Sequence, residues 1–204
     1  MLNKLVPLKE TPSQTGGPYV HIGLTPNFAD IGGVYPTDLG VGMLTPQTKG
    51  SRITVTGRVF DGSGAPLTDA VIELWQADAD GSHAGAPSPG SNSVPAFLGF
   101  GRQATDAEGV FRFETIKPGR VPAPDGSLMA PHLTLWITAR GINIGLHTRL
   151  YFGDETAANE TDAVLLRIQD PRRRKTLIST VPATGHYHLD IRLQGEDETV
   201  FFDI

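Results

Sequence analysis

The sequence predicts an all-β fold: one β-sandwich with a long irregular N-terminal arm and short helical insertions. Three observations carry that expectation. Glycine and proline are abundant, with 24 and 16 of 204 residues, about a fifth of the chain against an average near 12%. That excess suits many tight turns and argues against a helix bundle. From residue 52 onward, short runs alternate apolar and polar residues, the period of a strand with one buried face. Each run ends in turn residues such as Asp61-Gly-Ser-Gly64, Asp78-Ala-Asp-Gly81 and Lys117-Pro-Gly119. With 39% hydrophobic and only 19% charged residues, the chain can bury a sizeable core and does not read as disordered.

Residues 1–50 form the arm. Pro7, Pro12, Gly16-Gly17-Pro18, Pro26, Gly32-Gly33 and Pro36 follow one another with little strand or helix periodicity. Tyr19, Ile22, Leu24, Phe28 and Tyr35 are scattered among them, more apolar surface than a free tail carries. An irregular stretch of that length packs on something, its own domain or a partner.

Residues 51–204 form the sandwich. In Arg52–Phe60, Ile53, Val55 and Val59 share one face. Ala70–Trp75 is the next strand, and the small, Pro- and Ser-rich residues 84–95 are a loop. Phe97–Thr105 and Gly109–Thr115 flank Asp106-Ala-Glu-Gly109 in the manner of a hairpin. His132–Thr138 alternates sharply, Leu146–Phe152 follows, and Tyr187–Leu193 points Tyr187, Leu189, Ile191 and Leu193 inward. Glu198–Asp203 closes the sheet. Two short helices interrupt the strands, over 162–168 and 170–178, the second with Asp170 as N-cap and Pro171 at the first helical position.

Charge and composition exclude several function classes. A net charge of -5 and a pI near 5.6 do not suit nucleic-acid binding, which needs a basic stripe. The basic run Arg172–Lys175 reads as a solvated helix face. Without cysteine there are no disulfides, thiolate metal sites or thiol nucleophiles. No apolar run is long enough to span a membrane, and the N-terminus lacks a signal-peptide core, which points to a cytoplasmic protein.

The chemistry is sparse when the residues are read alone. His186 and His188 share a strand face and could grip one metal ion, but they lie with Asp190 and Arg192 on the polar face. His132 starts a strand beside Thr134, a poor ligand. Gly99-Phe-Gly101 and Gly62-Ser-Gly64 lack the strand–helix context of a nucleotide loop, and no serine sits in a nucleophile elbow.

Seven segments together carry more. They are Thr11–Tyr19, Gly57–Gly62, Glu73–Asp78, Thr115–Gly119, Ala139–Ile144, His147–Phe152 and Glu198–Asp203. In content and order the chain resembles the intradiol ring-cleaving dioxygenases. In the branch built from paired alpha and beta chains, both share one sandwich fold, and the catalytic beta chain holds Fe(III) with two tyrosines and two histidines. At the matching positions this chain has His83, Val121, His132 and Thr134. Hard tyrosinate donors are missing. The resemblance therefore implies no metal ligand and no catalytic residue in this chain, a partner beta chain that carries the iron, and inactivity alone. A diverged iron enzyme would need relocated ligands, and Tyr19, Tyr35, Tyr151 and Tyr187 all lie elsewhere.

The implied reaction is O2-dependent cleavage of protocatechuate to 3-carboxy-cis,cis-muconate, a step of aromatic catabolism. The implied share of this chain is the substrate pocket, lined by Thr15, Gly17, Pro18 and Tyr19 of the arm and by Arg140. Arg140 either pairs with an anionic aromatic acid or makes a salt bridge across the subunit interface. The reading from a different class is a non-catalytic β-sandwich module that binds or scaffolds and has kept only the fold.

Overall fold

The computed structural model describes residues 14–17, 19–83 and 95–203. Nine strands form two sheets around one core. The strands are β1 (Arg52–Phe60), β2 (Val71–Trp75), β3 (Phe100–Ala104), β4 (Val110–Ile116), β5 (His132–Thr138), β6 (Leu146–Tyr151), β7 (Thr180–Ala183), β8 (His186–His188) and β9 (Ile191–Arg192). One sheet runs β4-β1-β8-β7, with β9 also on β1, and the other runs β3-β2-β5-β6.

Alternation explains the assembly. Ile53, Val55 and Val59 of β1 face Phe111 and Phe113 of β4 and the second sheet's Ile72, Leu74, Leu133, Leu135, Ile137 and Leu150, all buried. Gly57 interrupts the inward row of β1 because a Cβ there would stand 2.1 Å from the Leu189 carbonyl and 2.4 Å from the Phe111 ring.

The expected hairpin over 97–115 does not form. The Asp106 turn exists, with Asp106 N donating to Val110 O at 2.9 Å and Gly109 N to Asp106 O at 2.9 Å. It carries the chain from one sheet to the other: β3 pairs with β2, and β4 pairs with β1 over seven residue pairs from Arg52↔Ile116 to Arg58↔Val110. The Tyr187–Leu193 run is split into β8 and β9 around Leu189 and Asp190, yet one parallel register on β1 holds across the break, Thr56↔His188 and Val59↔Ile191. Glu198–Asp203 makes no strand. It follows β6 through single contacts, such as Phe202 N to His147 O at 2.8 Å.

Four short helices are present among the described residues: α1 (Tyr19–Leu24), α2 (Thr156–Asn159), α3 (Ala163–Arg167) and α4 (Pro171–Lys175). Asp162 caps α3 and Asp170 caps α4, each through backbone N–H groups. Neither α1 nor β7 is foreseen by pattern: α1 is a six-residue turn within the arm, and every residue of β7 is exposed. No helix is long and apolar enough to cross a membrane among the described residues.

Candidate functional site

Of the four positions that the resemblance matches to iron ligands, His132 and Thr134 lie at the start of β5, and the donors at all four do not suit ferric iron. On the outer face of β5 and β6, His132 stands opposite Tyr151, Thr134 opposite Arg149, and Trp136 opposite His147. Val121 offers no side-chain donor, and its carbonyl is taken by Met129 N at 2.9 Å. Thr134 faces a guanidinium across the strand pair, and a fixed cation there opposes a metal cation. Among the described residues, no group of three or more His, Asp or Glu side chains converges to hold an ion.

Instead, a hydrogen-bonded relay closes this end. Arg149 Nη1 donates to Tyr151 Oη at 3.2 Å, and Tyr151 Oη donates to Asp162 Oδ1 at 3.2 Å. Asp162 is fully buried. It also accepts Val164 N at 2.9 Å and Leu165 N at 3.0 Å on Oδ1, and Ala130 N at 2.8 Å on Oδ2. The Ala130 carbonyl takes His132 Nδ1 at 2.8 Å. Burial, with the Arg149 charge second and a weaker push from His83, lowers the His132 pKa to about 4. Burial raises the Tyr151 phenol. His132 is thus a neutral structural histidine at physiological pH. The sequence signals His132 by its place in the strand but gives no sign of Arg149, Tyr151 or Asp162 as its company.

His186 and His188 are likewise occupied. Thr56 Oγ1 contacts His186 Nε2 at 3.2 Å and His188 Nδ1 at 3.0 Å, and His188 Nε2 meets Asp190 Oδ1 at 2.9 Å.

The second cluster joins the arm to the loop after β5. Thr15 Oγ1 donates to Ala139 O at 3.4 Å and accepts from Gly141 N at 2.9 Å and Gly17 N at 3.3 Å. Gly17 has φ 53°, a left-handed turn that glycine adopts without strain, and it leads into α1 at Tyr19. Pro18 lies outside the described residues. Tyr19 is 73% exposed. Arg140, between the two peptides held by Thr15, lines a groove of about 630 Å³ with Ile142, Asn143, Ile144, Leu146 and Leu193. Its Nε is 3.3 Å from Asp69 Oδ2, an ion pair with the arginine side chain 65% exposed. Thr15, Gly17 and Arg140 therefore come together, with Tyr19 starting the adjoining helix. Asp69 is a member that sequence reasoning missed.

The rest of the arm is fixed to the sheet through its backbone. Arg102 N donates to Gly40 O at 2.9 Å and Arg102 Nη1 to Leu24 O at 3.2 Å. Asp38 accepts from Asn27 N and Phe28 N, both at 2.9 Å. Val20 and Met43 of the arm are buried, Met43 in the main core, while Tyr19, Ile22, Phe28, Val34, Tyr35, Leu39 and Val41 are exposed.

Comparison with known proteins places these features. A family model described as dioxygenase matches residues 25–195. A protocatechuate 3,4-dioxygenase alpha chain from Pseudomonas putida is 46% identical over 203 residues, 96% of this chain and 97% of that one. A protocatechuate 3,4-dioxygenase beta chain from Burkholderia cepacia is 35% identical over 161 residues, 74% of this chain and 67% of that one. Among solved structures, 3-chlorocatechol 1,2-dioxygenase from Rhodococcus opacus superposes with a TM-score of 0.56 at 23% identity, over 76% of this chain and 64% of that one, a likeness of fold.

Proposed function

The chain belongs to the intradiol dioxygenase family, and from that premise we propose that it is the alpha subunit of an iron-dependent enzyme that cleaves protocatechuate with O2. The observation that carries this reading is the donor set at the family's ligand positions. His83, Val121, His132 and Thr134 cannot supply the charge of two tyrosinates, and Arg149 faces the place from the next strand. Yet the chain aligns along nearly its whole length with an alpha chain of such an enzyme. The iron and its ring-opening chemistry then belong to the beta chain, in a cytoplasmic complex.

This chain contributes shape and charge. In this reading residues 1–50 act as an arm that covers the partner. Thr15, Gly17, Pro18 and Tyr19 bring the backbone close to the substrate, and Arg140 presents a permanent cation to the benzoate carboxylate. The sandwich of 51–204 supports both.

The test is iron content. The chain alone, purified from iron-supplied cells, is expected to hold far less than one iron, and the chain co-expressed with its beta chain about one per pair, with tyrosinate-to-iron absorption in the visible. About one iron in the isolated chain overturns the assignment. Failure of the two chains to co-purify favours the scaffolding reading.

A further inference from the structure

Besides its own turn, in which Ile142 N donates to Ala139 O at 3.2 Å, the loop bearing Arg140 meets two side chains from other segments. The first is Thr15. Its hydroxyl donates to Ala139 O at 3.4 Å and accepts from Gly141 N at 2.9 Å, so one side chain fixes the peptides on both sides of Arg140. Gly17 N, at 3.3 Å, takes the remaining lone pair. A hydroxyl has one hydrogen to donate and two lone pairs, so Thr15 has no bond left for a substrate.

The second point is Asp69, whose Oδ2 lies 3.3 Å from Arg140 Nε. Asp69 itself is well anchored. The next residue, Ala70, is fully buried, with its N donating to Thr105 Oγ1 at 3.0 Å and its O accepting Thr105 N at 2.9 Å. The ion pair approaches the guanidinium from its Nε side, and among the described residues Nη1 and Nη2 donate no hydrogen bond. Those two nitrogens are the end of the fork that takes a carboxylate through parallel bonds.

We infer that Thr15 and Asp69 are positioning residues: Thr15 fixes the backbone and Asp69 the side chain of Arg140, so that its outer fork meets the substrate carboxylate. The inference rests on the reading of Arg140 given above and replaces direct substrate contact as the role of the Thr15 hydroxyl. A long exposed arginine otherwise loses much rotamer freedom on binding an anion, and ordering it beforehand removes part of that loss.

The test is anaerobic calorimetric titration of the iron-loaded alpha–beta complex with protocatechuate and with catechol, which lacks the carboxylate. Asp69→Asn and Thr15→Val are each expected to raise the protocatechuate Kd by roughly three- to tenfold and to leave the catechol Kd unchanged. Thr15→Ser, which keeps the hydroxyl, restores the wild-type value. In an Arg140→Gln background neither substitution has a further effect. If Arg140→Gln weakens protocatechuate selectively while Asp69→Asn leaves its Kd unchanged or tightens it, the positioning role is refuted and the reading of Arg140 survives. Equal weakening of both ligands by Asp69→Asn also refutes it, as loop damage. If Arg140→Gln weakens both ligands equally, the reading of Arg140 itself fails and the inference falls with it.

Discussion

Replacing Asp162 with alanine tests whether a buried carboxylate organises the end of the sheet that carries His132 and Thr134. Asp162 is fully buried and accepts four hydrogen bonds: Ala130 N, Val164 N, Leu165 N and the Tyr151 hydroxyl. Alanine removes the cap of α3, worth about 1–2 kcal/mol. It also strands Ala130 N and the Tyr151 hydroxyl in a buried site, at roughly 1–3 kcal/mol each. The expected loss is about 4 kcal/mol, a large part of the 5–15 kcal/mol that keeps a domain folded. Asparagine keeps one oxygen for Val164, Leu165 and Tyr151 but points an N–H2 group at Ala130 N, so it should cost less, about 2 kcal/mol. Urea unfolding followed by tryptophan fluorescence measures both variants. A loss under about 1 kcal/mol for alanine, or asparagine worse than alanine, refutes the claim that this carboxylate organises the site.

Three further outcomes follow from the same structure. His132 has a folded pKa of about 4 against an ordinary 6.5, so the unfolded chain takes up its proton first as pH falls. Its neutral burial should therefore cost the fold about 2 kcal/mol at pH 5 relative to pH 7, a slope that urea titration of His132→Phe should flatten. Gly57→Ala forces a methyl group to within 2.1 Å of the Leu189 carbonyl, and the melting temperature should fall by the equivalent of roughly 1–3 kcal/mol. Deleting residues 1–18 removes the Thr15 clip, and co-purification with the beta chain should drop together with turnover; unchanged assembly and turnover would exclude a role for this part of the arm.

The strands that bury one face were legible in the sequence. The bounds of β1 and β5 match their alternation because a one-residue slip would expose every inward side chain. The cap and first residue of α4 were legible too, since Asp-Pro states its own geometry. Pairing was not. The Asp106 turn looks like a hairpin locally, but β1 offers β4 seven partners across the other sheet, and no local signal reports that. β7 was missed because it buries nothing. At the site, the changed ligand positions were implied only by the family resemblance. The contacts of Thr15 with Ala139 and of Asp69 with Arg140 were invisible, because only the folded sandwich brings those segments together.

On the proposed reading, Arg140 and the arm recognise charge only within the complex. In the isolated chain the Arg140 side chain is 65% exposed, and an ion pair in that setting is worth about 0–1 kcal/mol. A charge-assisted bond reaches about 1.5–3 kcal/mol only where water is displaced. The segment proposed to displace it is the arm, which displays Tyr19, Ile22, Phe28, Val34, Tyr35, Leu39 and Val41 to solvent. Thr15 ties the start of that surface directly to the Arg140 loop. On the proposed reading, docking of the arm against a partner would therefore bury an arginine whose backbone Thr15 already holds, and a free chain would have the cation without the dry setting that gives it selectivity.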